Sequence, residues 1–169
     1  IPYKGGGQAI VDVIGGNVTQ VGEQGCNVTR NAWVAAGLPQ SVPATSVDRQ
    51  CGSSQQSAHF AAQGVMAGAY DIAIAAGVEV MSLVPMGASI GSGIGFPFGA
   101  AYDRYAEVEL YPGQRGLVGQ GISAEIIANE NDLSRDDLDA FSVESHARAA
   151  RATDEGRFDN EIIPVVSKI

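Results

Sequence analysis

Pro43 to Met66 reads PATSVDRQCGSSQQSAHFAAQGVM, and the order of residue types in it decides the fold class. A β-branched run from Val42 to Val47 ends in the polar triplet Asp48-Arg49-Gln50, and small hydroxyl residues follow Cys51 directly. That order predicts a strand, a sharp bend and a helix, with the cysteine at the bend. Ser53 and Gln56 have the spacing of a capping box, so the helix is expected to open at Ser53. It should run to about Ala69, near Gly68 and Asp71. Of the 19 residues from Gly52 to Tyr70, 11 are Gly, Ala or Ser, a composition expected of a helix buried on all sides. A thiol at a helix N-terminus meets unpaired amides and the positive end of the helix dipole. It can then ionise well below the free value of about 8.5. Its thiolate is the nucleophile, although a cysteine here can also be a small apolar core residue.

Downstream, Asp71-Ile72-Ala73-Ile74-Ala75-Ala76-Gly77 is a short, nearly continuous apolar run between turn residues. It predicts a strand buried on both faces, in a parallel sheet sandwiched by helices. Strand, helix and strand then make a βαβ unit with Cys51 at the carboxyl end of its first strand, where sites in α/β sheets usually lie. Glu79 follows amid apolar neighbours and needs hydrogen-bond partners there. It reads as a structural carboxylate holding loops, with a base near the thiolate as the alternative. Upstream, Ile10 to Ile14 predicts a short strand, and Asn27 can cap a helix from Val28 to Ala36 that Gly37 and Pro39 stop.

The periodic pattern ends in Pro85–Ala100, where seven of sixteen residues are Gly or Pro, a functional cover or an interface. Gly119 to Glu125 leads into a helix reaching about Asn131. Ser134 and Asp137 then cap a longer one to about Glu155, closed by Gly156. Ile122, Ile126, Leu138, Phe141 and Val143 are its expected core contacts.

The net charge is −9, with 11 acids against 5 bases in residues 121–169. Nucleic acid is a poor partner for such a chain, which lacks basic clusters. Cys26 and Cys51 form neither a disulfide framework nor a zinc pattern, and no resident metal is expected. No apolar run reaches membrane-spanning length. The glycine spacings lack the strand-turn-helix setting of a dinucleotide or P-loop site.

Asp48-Arg49-Gln50-Cys51-Gly52-Ser53-Ser54-Gln55-Gln56-Ser57, followed by Gly77-Val78-Glu79-Val80-Met81-Ser82, closely resembles the nucleophile motif and next strand of the thiolases. Arg30, Ala36-Gly37-Leu38-Pro39 and the segment Arg157 to Val165 extend the likeness. The related ketoacyl synthases typically embed their nucleophile in Ala-Cys-Ser, unlike this chain. The resemblance implies an α/β thiolase-like fold, represented by a partial N-terminal half with a parallel-rich sheet and a buried nucleophile helix. It divides the chain into residues 1–82 with the nucleophile, 83–120 as the start of a Gly/Pro-rich loop insertion, and 121–169 as a helical continuation with a final strand. A longer N-terminal strand is expected before Ile10, and a C-terminal half after Ile169.

For function, the resemblance implies an acyltransferase of acyl-CoA metabolism, such as β-oxidation, that cleaves 3-oxoacyl-CoA with CoA or runs the reverse condensation. CoA is then substrate, no cofactor is bound, and the enzyme is a homodimer or homotetramer of the cytoplasm or an organelle matrix. Cys51 would carry the acyl group, and its own amide would be one oxyanion donor. The insertion shapes the acyl pocket, which makes Met86, Phe96, Phe98 and Tyr102 candidates to line it, with plain packing as the alternative. Arg104 and Arg115 are candidates for the CoA phosphates or are solvated surface groups. The family's base lies in a Gly-His-Pro motif and its acid is a second cysteine, and neither motif occurs in these residues. His59 lies eight residues past Cys51, about 12 Å of helical rise away, and His146 sits on a charged helix. Cys26 is an ordinary structural cysteine by the same comparison. The chain is therefore expected to be half of a site, inactive alone. The alternative is a non-catalytic acyl-CoA-binding or interaction subunit with the same fold.

Overall fold

The computed structural model describes residues 11–90 and 97–165, in two compact units that divide between Pro97 and Phe98. The first unit carries β1 (Val11–Gly16), a 3₁₀ turn at Gly22–Gln24, α1 (Val28–Ala35), β2 (Ala44–Val47), α2 (Ser53–Ala67) and β3 (Ile72–Gly77). The three strands are parallel in the order β2-β1-β3, with Val13 beside Ala44 on one side and Ile74 on the other. This is the α/β parallel arrangement expected, and β1 is its buried centre: Val13 and Ile14 are among the few buried apolar side chains, with Ala61 and Val84.

Glycine at the ends of β1 and β3 lets both helices close on the sheet. A Cβ on Gly15 would run into the Thr29 side chain of α1, and one on Gly16 would run into the backbone of Ser53 and Ser54 in α2. Successive strand residues point to opposite faces, so α1 and α2 cover opposite faces of β1. Gly77, paired with Gly16, is blocked by the Ser54 side chain in the same way. Polar bonds stitch the layers: the Thr29 and Ser46 hydroxyls are 2.8 Å apart, and the Asn27 amide donates to the Ala44 carbonyl (2.8 Å). The Ser57 hydroxyl, fully buried, reaches the carbonyls of Ser54 and Ala76, at 2.7 and 3.0 Å.

Several expectations are corrected here. β3 is an edge strand, and Ile72 and Ile74 are exposed. A continuous apolar run reports hydrophobicity without reporting how many faces a strand covers. Likewise α2 is buried along one stripe only, Ser53, Gln56, Ser57 and Ala61, the spacing of a single helix face. Its small residues serve the close approach to β1 and leave His59, Phe60 and Met66 exposed. Asn27 precedes α1 as expected, but in a left-handed conformation and with its side chain spent on β2.

The second unit contains α3 (Ala101–Glu107), a short antiparallel pair β4 (Glu109–Tyr111) and β5 (Gln114–Arg115), α4 (Gln120–Glu130) and α5 (Arg135–Asp154). The capping box at α5 forms as expected: the Ser134 hydroxyl accepts from the Asp137 amide, and the Asp137 carboxylate accepts from the Ser134 amide. The Ser134 hydroxyl also donates to the Asp137 carboxylate, and that bond, with the one from the Ser134 amide, holds the Asp137 carboxyl below its ordinary range. The expected core contacts do not form among the described residues. Ile122, Leu138, Phe141 and Val143 are exposed, Ile126 is half-buried, and Ala128 is the buried apolar residue among those described in this unit. Periodicity marks a face as apolar but does not supply the surface that covers it. Residues 162–165 carry no regular structure, and the last four residues of the expected final strand lie outside the described residues.

Gly16→Ala sets a methyl against helix backbone, which cannot swing aside as a side chain can. It is expected to cost about 1–3 kcal/mol or more, whereas Gly121→Ala, in open space on α4, should gain about 0.5–1 kcal/mol. Urea midpoints of the two variants check the contrast, and equal midpoints would remove the close-approach argument.

Candidate active site

Cys51 lies between β2 and α2, with its side chain exposed. The bend that aims it is built from hydrogen bonds among near neighbours in the chain. Asp48 Oδ1 accepts from the Gln50 amide (2.8 Å), and the Arg49 carbonyl accepts from the Gly52 amide (3.1 Å). Gln50 itself is left-handed, at φ 49°, a conformation that costs a non-glycine residue about 1–3 kcal/mol. Its carbonyl accepts from both the amide and the hydroxyl of Ser53, at 3.0 and 2.6 Å. The expected Ser53–Gln56 capping box is absent. Gly52 occupies the N-cap without a side-chain bond, and the Ser53 hydroxyl points backwards to accept from the Arg49 amide (2.9 Å). Gln56 Oε1 accepts from the Arg49 guanidinium. Both side chains hold the bend instead of the helix start. Among the described residues the Cys51 amide makes no hydrogen bond within the fold, so its N–H is available to an external acceptor.

Glu79, half-buried beyond β3, acts as the structural carboxylate expected of it. One oxygen accepts from the Val18 amide (2.8 Å) and Asn17 Nδ2 (3.3 Å), and the other from the Thr19 amide (3.2 Å) and Gln24 Nε2 (2.8 Å). Gln24 Oε1 accepts in turn from the Val80 amide (2.7 Å). Burial pushes the Glu79 carboxyl up, but the bonds from Val18, Gln24 and Thr19 outweigh it and leave the group below its ordinary value. A carboxylate so occupied is a poor proton acceptor. Asn17 and Gln24 are the partners that sequence reasoning missed; their signal was a pair of amides in a glycine-rich loop with no periodic role. Asn17 is 1% exposed, and its Nδ2 also donates to the Val78 carbonyl (2.8 Å).

Met86 is in the first unit and 79% exposed. Phe98, Tyr102, Arg104 and Arg115 are in the second. Phe98 packs edge-on to Tyr105, centroids 6.3 Å apart. Arg115 faces Glu109 at 3.8 Å, so it is a paired surface cation, and Arg104 is exposed on α3. Phe96 lies outside the described residues. His59 is on the exposed side of α2, two turns beyond the bend, and His146 is on α5 in the other unit. Cys26 is exposed just before α1. Among the described residues, no group of His, Cys, Asp and Glu could hold a metal ion, and no helix is long and apolar enough to cross a membrane.

A family model described as thiolase, N-terminal domain, matches residues 6–169. Among curated relatives, a steroid 3-ketoacyl-CoA thiolase of Mycobacterium tuberculosis is 40% identical over 158 residues, covering 93% of this chain and 38% of that protein. A 3-ketoacyl-CoA thiolase of Bacillus subtilis is 43% identical over 156 residues, covering 92% and 37%. Among solved structures, the Bacillus anthracis acetyl-CoA acetyltransferase has the same fold, with a TM-score of 0.69 at 24% identity over 95% of this chain and 40% of that one. The chain thus spans about two-fifths of the length of these relatives or less.

Because the Glu79 carboxyl is lowered from an ordinary 4.5, its contribution to stability is fully present above that pH. It is lost as pH falls through the folded value. Glu79→Gln is expected to destabilise the first unit at neutral pH by about 1–3 kcal/mol, and the gap from wild type should close below pH 4.5. Paired urea titrations at the two pH values check this; a gap independent of pH would mean that the charge is not what the donors hold.

Proposed function

The chain belongs to the thiolase family, and on that premise we propose that it supplies the nucleophile half of an acyltransferase. This enzyme cleaves 3-oxoacyl-CoA with CoA to acetyl-CoA and a shortened acyl-CoA, or runs the reverse condensation. The observation that carries the reading is the bend at Cys51: an exposed thiol at the carboxyl end of a parallel strand, beside its own unbonded amide. The names of the curated relatives support a 3-oxoacyl-CoA substrate.

In cleavage, the Cys51 thiolate attacks the 3-oxo carbon and the bond between carbons 2 and 3 breaks. The electron pair leaves with acetyl-CoA as its enolate, which takes a proton at carbon 2. A second CoA thiol then attacks the acyl-Cys51 thioester, gives up its proton to a base, and releases the shortened acyl-CoA with Cys51 restored. The Cys51 amide stabilises one of the two thioester oxygens as charge builds on it. Neither His59 nor Glu79 takes the proton-transfer roles; both roles belong to a second half of the protein. Residues 1–82 are the nucleophile-bearing part of the N-terminal half, 83–120 begin a loop insertion over the acyl pocket, and 121–169 continue that half. Met86, Phe96 and Phe98 are proposed against the acyl chain, and Arg104 against the CoA phosphates. Arg115 would have to leave Glu109 to join it. The proposed assembly is a homodimer or homotetramer in the cytoplasm or an organelle matrix, with CoA as substrate and no bound cofactor.

Incubating the native protein that contains these residues with acetyl-CoA should add one acetyl group, mapped to the Cys51 peptide. Cys51→Ala should abolish it without changing the circular dichroism. A folded wild-type protein that stays unmodified would overturn the enzyme in favour of a non-catalytic acyl-CoA-binding subunit. The 169 residues alone should show no steady-state thiolysis, and ordinary turnover by them would refute the need for a second half.

A further inference from the structure

Resting on the acyl-Cys51 reading, we propose that Arg49 is a positioning residue for the nucleophile, acting through Gln56. Arg49 grips the start of α2 with all three of its polar parts. Its amide donates to the Ser53 hydroxyl (2.9 Å), its carbonyl accepts from the Gly52 amide (3.1 Å), and its guanidinium donates to Gln56 Oε1. Gln50 and Cys51 are the residues enclosed by that grip. Gln50 is held left-handed at φ 49°, and for a residue with a side chain this conformation persists only where the surroundings over-determine it.

The two backbone bonds survive any substitution at position 49 other than proline. The guanidinium bond is the one part that the side chain controls, and its acceptor is fixed because Gln56 lies buried on the inner stripe of α2. Without that bond the bend is free to relax at Gln50, and the thiol that follows swings with it. The planar fork of arginine suits the fixed amide oxygen, whereas lysine offers a point donor on a flexible stem.

The competing roles for Arg49 are a charge acting directly on the thiol and a contact to CoA phosphate. Gln56→Met separates them, since it keeps the Arg49 charge and removes only the acceptor. The measurements are kcat and KM for thiolysis by the native protein, and the pH profile of iodoacetamide alkylation at Cys51, with exposed Cys26 in the same molecule as internal reference. Arg49→Met and Gln56→Met are each expected to lower kcat by about tenfold to a hundredfold at unchanged KM for CoA. Both should shift the Cys51 profile while Cys26 keeps its own. The double variant should be no worse than either single one, because both break one bond, and Arg49→Lys should recover part of the loss.

The proposal is overturned if Gln56→Met behaves as wild type while Arg49→Met does not, if Arg49→Met raises KM at unchanged kcat, or if the two effects add in full. A wild type that alkylates at Cys51 but never acylates there would sink the thiolase reading instead. The alkylation profiles of the variants would still decide the role of Arg49.

Discussion

The first turn of α2 rests directly on the backbone of β1, and the geometry around Cys51 depends on that approach. Gly16 and its neighbour across the sheet, Gly77, leave no side chain between strand and helix, and Ser54 fills the space that they vacate. Such proximity places the start of the helix, with the unbonded Cys51 amide just before it, at the carboxyl ends of two parallel strands. Two hydrogen bonds prolong the sheet to that point: Asn17 donates to the Val47 carbonyl (3.0 Å) and Val78 to the Gly16 carbonyl (3.1 Å). The floor beneath the first turn of α2 is therefore strand backbone, which lacks rotamers. Side chains enter only where the chain must turn.

At the same end of the sheet, Glu79 holds the loops that follow β1 and β3. Desolvating a carboxylate is unfavourable, and four donors from the loop after β1 offset that cost. The arrangement also explains why a carboxylate so close in sequence to the strand end is not a base. A base must keep a lone pair free for the incoming proton, and both oxygens here are engaged. Asn17 shows the other side of the same economy: its amide protons are used, while its Oδ1 is buried without a hydrogen-bond partner among the described residues. Buried acceptors of this kind are commonly met by an ordered water.

Strand, bend and helix were legible around Cys51 because three local signals agreed: a β-branched run, a polar triplet and a small-residue helix. The Ser134–Asp137 capping box was legible for the same reason, since its partners are local and solvent does not compete with a better one. The same pattern at Ser53 and Gln56 misled, because the residues before it are folded back within reach. The Ser53 hydroxyl then finds the Gln50 carbonyl at 2.6 Å, and Gln56 finds a guanidinium. Charge-assisted bonds are stronger than a neutral cap. Nothing in the composition marks Gln50 as left-handed, since a turn that needs φ > 0 normally announces itself with Gly or Asn. Sequence also could not reveal which apolar faces are covered. Ile74 and Phe141 sit in hydrophobic patterns as regular as those of Val13, yet of the three only Val13 is enclosed, because β1, alone among the described strands, has a strand on either side and a helix on each face.

On the proposed reading, this distribution separates the aiming of the nucleophile from the supply of protons. Aim needs rigidity within a few residues: a strained turn, a helix start and a buried acceptor, all of which lie between Asp48 and Gln56. Proton transfer needs a group within about 3 Å of the reacting atoms whose lone pair is free. Glu79 fails that test by its bonds, and His59 fails by its place on the exposed side of α2. A single compact βαβ unit can meet the first demand, since its elements are adjacent in sequence and the bonds close short loops. The second demand sets an acid or base opposite the helix end, on the open side of the sheet's carboxyl edge. That side cannot be filled from α2, because a helix leads away from its own N-terminus by 1.5 Å per residue.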